Sequence, residues 1–199
     1  MPKISKTFSV SIFVPQKLCD FAVRLALIFR RLRYGYTFRR IPLTKGRYAI
    51  VDIEDFERVN QFSWYIRRSN RSNTYYAGRT VVVSRYRRKI VSMHRFILDA
   101  PRDLQVDHIN GDGFDNRRAN LRLATGFENS RNKAKRAGTR TSRYKGVKRN
   151  GSGRWHAVIN YNCKRYYLGT YETEEDAARA YDMAARKYHK EFARVNLPD

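Results

Sequence analysis

The chain has 199 residues, with 42 Lys and Arg against 18 Asp and Glu and a formal net charge of +24. An excess of that size calls for a polyanionic partner: nucleic acid first, because each neutralised phosphate releases condensed counterions, with an anionic membrane surface as the rival. Hydrophobic residues at 42% and aromatic residues at 14% are too many for a disordered basic tail, and two cysteines without paired spacing exclude both a disulfide framework and a thiolate zinc ribbon. The N-terminal arm, residues 1–44, is the most lopsided part, since residues 1–46 hold ten basic side chains and a single acid, Asp20. Its most apolar run, Phe21 to Phe29, is too short to cross a bilayer and carries Arg24 in its middle. No secretory signal is expected, because the apolar run starts late and no small-residue cleavage pattern follows. Leu18 to Tyr34 reads as a basic amphipathic helix suited to a DNA backbone, a membrane surface or the next domain.

From Arg47 to Ile97 the β-branched and aromatic content predicts short strands at Tyr48 to Val51, Phe62 to Ile66, Tyr75 to Val83 and Lys89 to Ser92. A small sheet therefore leads into Met93-His94-Arg95. Next come a strand at Leu104 to Ile109, turn signals at Asn110-Gly111 and Asp112-Gly113, and a return strand at Leu121 to Ala124. Thr125 followed three residues later by Glu128 is a capping box, which starts a helix running to about Lys135. This order sets Asp107 and His108, at the end of a strand, opposite the first turn of that helix and Asn129. Oxygen donors from Asp107 and Asn129 suit one hard divalent ion, Mg²⁺ or Mn²⁺, which keeps several waters and bridges to a phosphate. The His108 imidazole is left to take a proton from water near neutral pH. A calcium-binding EF-hand loop is excluded, since its first position would be His108 and its twelfth Ala119.

With those residues in view, the stretch resembles the HNH homing-endonuclease family. That family's ββα-metal motif combines an Asp-His or His-His pair, a central Asn and a metal-binding His or Asn on the helix. From His108, Asn120 lies twelve residues on and Asn129 twenty-one. The resemblance covers about residues 45–135, including KGRYAIVD, the Trp64 strand and the MHR tripeptide. It implies that His108 activates water, that Asp107 and Asn129 hold one ion, and that Asn120 braces the loop. For His94 two roles stay open: packing the sheet against the loop, or acting beside the scissile phosphate.

Lys133 to Ser142 has no apolar periodicity and reads as a basic linker, with 136–142 as its bounds. Beyond it, strands are expected at Tyr144 to Arg149, Arg154 to Tyr161 and Lys164 to Gly169. A helix capped by Thr173 follows, with Ala177, Ala180, Tyr181, Ala184 and Tyr188 on one face. Arg143 to Arg165 contains seven basic residues and no acid, whereas the helix collects carboxylates, so the sheet is the face expected to meet DNA. YKGV, GRWHAVI, YYLGTYETEEDAARAYD and VNLP resemble the plant ethylene-response-factor, or APETALA-two, DNA-binding domain. The matching positions imply Lys145, Lys148, Arg149, Arg154, Trp155, Arg165 and Tyr167 as DNA contacts, with Trp155 shared between contact and core. Val158 and Asn160 stand where plant factors carry Glu and Arg, so the plant target sequence does not carry over.

The sequence thus predicts an α+β protein, a ββα-metal HNH nuclease module (45–135) followed by a three-stranded antiparallel sheet with one packed helix (143–199). The expectation is a homing-type, site-directed DNA endonuclease with one divalent ion and a His general base. Its partner is double-stranded DNA, with no membrane and no small-molecule cofactor. It is expected to be a monomer working inside a bacterial or phage-infected cell. The alternatives are a non-catalytic DNA-binding regulator with a vestigial HNH centre, and a binder of structured RNA.

Overall fold

The computed structural model describes residues 16–69, 74–133, 135 and 141–197. The start of the expected N-terminal arm and most of the expected linker lie outside those residues. Helix α1 spans Gln16–Tyr34, close to the predicted amphipathic segment. Among the described residues no helix is long and apolar enough to cross a membrane.

The next part of the chain is built from three small antiparallel sheets and short helices. Strands β1 (Arg39–Pro42) and β2 (Tyr48–Val51) pair, and α2 (Ile53–Asn60) follows. Neither β1 nor α2 is among the elements expected from the sequence. The α2 signal is weak: Asp52 before the helix and Glu54 and Asp55 in its first turn favour its positive end. Strands β3 (Tyr65–Arg68), β4 (Tyr75–Ser84) and β5 (Arg87–Ser92) form the second sheet in that order. β3 begins at Tyr65 rather than at Phe62 because Phe62 and Trp64 turn inward, meeting Phe96 edge-on and tilted, while Trp64 Nε1 donates to Val59 O at 2.9 Å. The short α3 (Met93–Ile97) closes the core with Ile41, Val51, Val59, Met93 and Ile97, all essentially without solvent contact. Burying each such side chain is worth about 1.5–3 kcal/mol.

The third sheet is the hairpin of β6 (Gln105–His108) and β7 (Leu121–Ala124), followed by α4 (Gly126–Asn132). The capping box at Thr125 forms as predicted, but α4 ends at Asn132, short of Lys135. The long loop between β6 and β7 is pinned on two sides. Ile50 N donates to Phe114 O at 2.9 Å and Asn116 N to Ile50 O at 2.8 Å, while Arg118 grips the buried Asp55 with two bonds of 2.8 Å. Gly113 permits the fit, because a Cβ there would come within 2.1 Å of Tyr75 O.

The C-terminal unit has strands β8 (Val147–Arg149), β9 (Trp155–Tyr161) and β10 (Lys164–Tyr171) in the order β10-β9-β8, with α5 (Glu174–His189) packed on one face. Ala177, Ala178, Ala184 and Ala185 are buried, and so little bulk lets α5 lie close to the sheet. Gly146 belongs to the same close approach, since a Cβ there would lie 2.1 Å from the Tyr181 ring. The closing VNLP segment is stapled by the buried Asp182, which accepts from Asn196 N at 2.8 Å and Leu197 N at 2.9 Å.

Candidate functional site

Adjacent residues on a strand point to opposite faces, so Asp107 and His108 leave β6 on different sides of the hairpin. Asp107 lies across from Arg122 in the strand register and accepts from its Nε at 2.9 Å and its Nη2 at 2.7 Å. Both side chains are largely buried. Asn132 Nδ2 stands 3.0 Å from each Asp107 oxygen and 2.8 Å from His108 O. The amide set on the carboxylate is therefore that of Asn132, at the end of α4, while Asn129 donates to Gln105 Oε1. The periods explain the pairing. Gln105 and Asp107 share one strand face about 6.6 Å apart, and Asn129 and Asn132 share one helix face about 4.5 Å apart along the axis. Two strand residues thus meet two helix amides in step. The helix period makes Asn132 a second candidate beside Asn129, three residues on along the same face, without deciding between them.

On the other side, the His108 ring packs against His94 (centroids 5.0 Å apart, edge-on) and Tyr76 (5.6 Å), with Asn116 Oδ1 3.4 Å from its Nε2. His94 is buried, and its Nδ1 has no hydrogen-bond partner among the described residues. Burial is the main cause that lowers the His94 pKa to about 3, with the neighbouring His108 and Arg95 adding to it. Burial also lowers the pKa of His108, against a raising contribution from Asn116. Both imidazoles are therefore neutral at pH 7, the form a proton acceptor needs. Tyr76, which packs on both rings, carries no recognisable signal in the sequence.

Asn120 ties the loop shut from inside. Its Oδ1 accepts from Asn110 N at 3.0 Å, and its Nδ2 donates to Asn110 Oδ1 at 3.0 Å and Asp115 O at 2.8 Å. Arg95, of the MHR tripeptide, donates to the Leu104, Ala100 and Pro101 carbonyls and shapes the approach to β6. Among the described residues no three His, Cys, Asp or Glu side chains gather into a metal cage. One carboxylate, held by the Arg122 guanidinium and the Asn132 amide, offers few protein donors; that fits a hard divalent ion that keeps most of its waters and does not fit zinc.

The expected DNA contacts divide. Lys148, Arg149, Arg154, Arg165 and Tyr167 are exposed, although Arg154 lies 3.6 Å from Glu172 and Arg149 Nε donates to Gly153 O. Trp155 is half-buried against the cluster beneath α5. Lys145 stands apart from the others. Its ammonium is half-buried and donates to the Arg131 and Lys133 carbonyls, at and just beyond the end of α4, and burial lowers its pKa to about 8. Between that helix end and the sheet lies a cleft of about 760 Å³. Arg131, Lys133, Lys135, Lys145, Lys148 and Arg165 line it, and none of its described lining residues is an acid.

Two family models match the chain: an HNH endonuclease over residues 99–131 and an AP2 domain over residues 142–191. An HNH endonuclease of Acanthamoeba polyphaga mimivirus is 30% identical over 161 residues, covering 78% of this chain and 78% of the relative. An AP2/ERF and B3 domain-containing protein of Oryza sativa subsp. japonica is 48% identical over 62 residues, 31% of this chain and 17% of the plant protein. An ethylene-responsive transcription factor of Arabidopsis thaliana is 50% identical over 59 residues, 28% of this chain and 14% of that factor. These two plant proteins are thus matched over less than a fifth of their length.

Proposed function

We propose, on the premise that the chain belongs to the HNH endonuclease family and carries an AP2 domain for DNA binding, that it is a homing-type, site-directed endonuclease of double-stranded DNA acting inside a virus-infected cell. The observation that carries the reading is the placement of Asp107 and His108 on one strand end, braced by Asn120 and Asn132, with the following helix ending on a basic cleft that it shares with the C-terminal sheet. We assign residues 45–135 to the nuclease domain, 136–142 to the linker and 143–199 to DNA reading, with residues 1–44 as a basic arm.

In this reading His108 accepts the proton of the attacking water, whose oxygen bonds to phosphorus as the bond to the 3′ oxygen breaks. The 3′ oxygen leaves and takes up a proton from solvent. Burial keeps His108 neutral, and the Tyr76 and His94 rings hold its orientation. The carboxylate of Asp107 and the amide oxygen of Asn129, whose nitrogen is spent on Gln105, would hold one Mg²⁺ or Mn²⁺, and Asn132 steadies Asp107 through its amide N–H groups. The chemistry such an ion would supply is charge neutralisation at the phosphate under attack and at the leaving oxygen. Asn120 keeps the β6–β7 loop closed. Lys148, Arg149, Arg154, Arg165 and Tyr167 meet DNA from the sheet, and Trp155 contributes from its half-buried position. Lys145 faces the cleft beside the duplex.

Plasmid nicking with Mg²⁺, with Mn²⁺ and with excess chelator tests the proposal. Cutting is expected with either ion and none with chelator. Undiminished cutting in chelator would remove the metal reading. Absence of cutting under every condition, with duplex binding retained, would favour a DNA-binding regulator.

A further inference from the structure

The ββα element does not stand alone in the fold, because both of its later parts are gripped by the C-terminal domain. At the end of α4, where helix carbonyls lack intrahelical partners, the ammonium of Lys145 caps Arg131 O and Lys133 O. On β7 the grip passes through Arg122. The guanidinium that gives two N–H bonds to Asp107 uses its remaining nitrogen, Nη1, on the carbonyl of Glu191, and its central carbon lies 4.0 Å from the centroid of the Phe192 ring. Glu191 and Phe192 form the short helical turn that follows α5. Phe192 is buried at 7% exposure.

A guanidinium is a rigid planar fork, so fixing one end fixes the other. Three of its corners are committed here, two to the carboxylate in the nuclease domain and one to the backbone of the DNA-binding domain. The aromatic ring beneath it sets the tilt of the plane, and a cation over an aromatic face gains more when little water competes. Among the described residues Arg122 is the charged partner of Asp107, so the orientation of that carboxylate depends on Arg122 and on the Asn132 amide.

We infer that Arg122 is a positioning residue through which docking of the C-terminal domain aims Asp107, so that reading and cutting are coupled at one side chain. The inference rests on the proposed role of Asp107 as an ion ligand. Removing the Phe192 ring leaves Asp107 untouched chemically but frees the guanidinium to tilt, and the carboxylate moves with it. Residues that orient a metal ligand from behind commonly change metal affinity by about 10–100-fold when altered. Phe192 acts one step further away, so a smaller change of about 3–10-fold is expected.

The test is Mn²⁺ binding to the full-length protein without DNA, followed by electron paramagnetic resonance, with thermal melting and duplex binding measured on the same samples. Asp107→Ala should lose binding, Arg122→Lys should weaken it about tenfold or more, and Phe192→Ala should weaken it about 3–10-fold. Phe192→Tyr, which keeps the ring, should restore it. Phe192→Leu keeps an apolar side chain in place without an aromatic face, and it should still bind Mn²⁺ less tightly should the alanine variant prove unstable. If Asp107→Ala loses Mn²⁺ while the folded Phe192→Ala and Phe192→Leu proteins bind it like the wild type, the coupling is overturned and the ion assignment stands. If Asp107→Ala and the wild type bind Mn²⁺ alike, the ion assignment fails and the coupling fails with it.

Discussion

The two halves of the molecule place the polar groups that would meet DNA in opposite ways. In the HNH half, Asp107, His108, Asp115, Asn116 and Asn120 are buried, and the last of these helps bond the β6–β7 loop into one piece. In the C-terminal half, Lys148, Arg149, Arg154 and Arg165 stand exposed on a sheet whose other face is the core. The contrast follows from the work each half does. Bond cleavage needs groups held in place before substrate arrives, because reorganising them during reaction costs rate. Backbone recognition needs charges that water can reach, because its free energy comes largely from released counterions.

The largest expected effect tests the buried half. His108→Ala should lower cutting by roughly two to four orders of magnitude, the usual worth of a positioned general base, while binding to duplex DNA changes little. Nicking and gel-shift assays on one preparation decide it, and loss of binding without unfolding would make His108 part of DNA binding as well as of cutting.

Asn120→Ala comes next and concerns stability. It removes three hydrogen bonds and leaves the buried Asp115 carbonyl without its side-chain partner, which costs on the order of 1–3 kcal/mol, while water can reach the exposed Asn110. A melting temperature lower by several degrees is expected, with DNA recognition by the sheet retained. A variant as stable as the wild type would show that the loop is closed by the Asp55 and Ile50 bonds instead.

Changing Arg154 and Arg165 together to Ala tests the exposed half. Affinity for the preferred duplex should drop roughly tenfold or more, and the dependence of log affinity on log salt should become shallower by about 0.9 for each phosphate no longer neutralised. Weak, ion-dependent cutting of arbitrary DNA should persist. Lys145→Ala gives the sharper comparison: its ammonium is spent on carbonyls at the end of α4, so its removal should change the salt slope less than Lys148→Ala does. Equal changes would put Lys145 on the DNA.

The smallest effect is a pH dependence of stability. His94 has a folded pKa lowered to about 3 from an ordinary 6.5, so the unfolded chain binds its proton first as pH falls. Stability is present in full above pH 6.5 and is lost progressively below it, by on the order of 1 kcal/mol over the first pH unit. Denaturant unfolding at about pH 7.5 and about pH 5.5, either side of the ordinary histidine value, should show the loss, and His94→Gln should reduce it to the part that His108 contributes. An unchanged slope in that variant would assign the dependence to His108.

What the sequence determined by itself was local. The strand, turn, strand and helix order around Asp107 and His108, the Thr125–Glu128 box, the Thr173 cap and the basic sheet against an acidic helix start are all written in residues a few positions apart. Such signals survive folding because they depend on backbone period, turn geometry and caps, which neighbours decide. Strand β1 and helix α2 escape a sequence reading because four and eight residues hold too little periodicity to stand out before their partners are known. The tertiary structure alone decided that Asn132 rather than Asn129 meets Asp107, that Tyr76 packs on His108, that Lys145 turns to α4, and that Arg122 spans two domains. Each of those pairings joins different elements, separated by at least twelve residues, and their distance depends on how whole elements dock, a property that no local pattern of residues records.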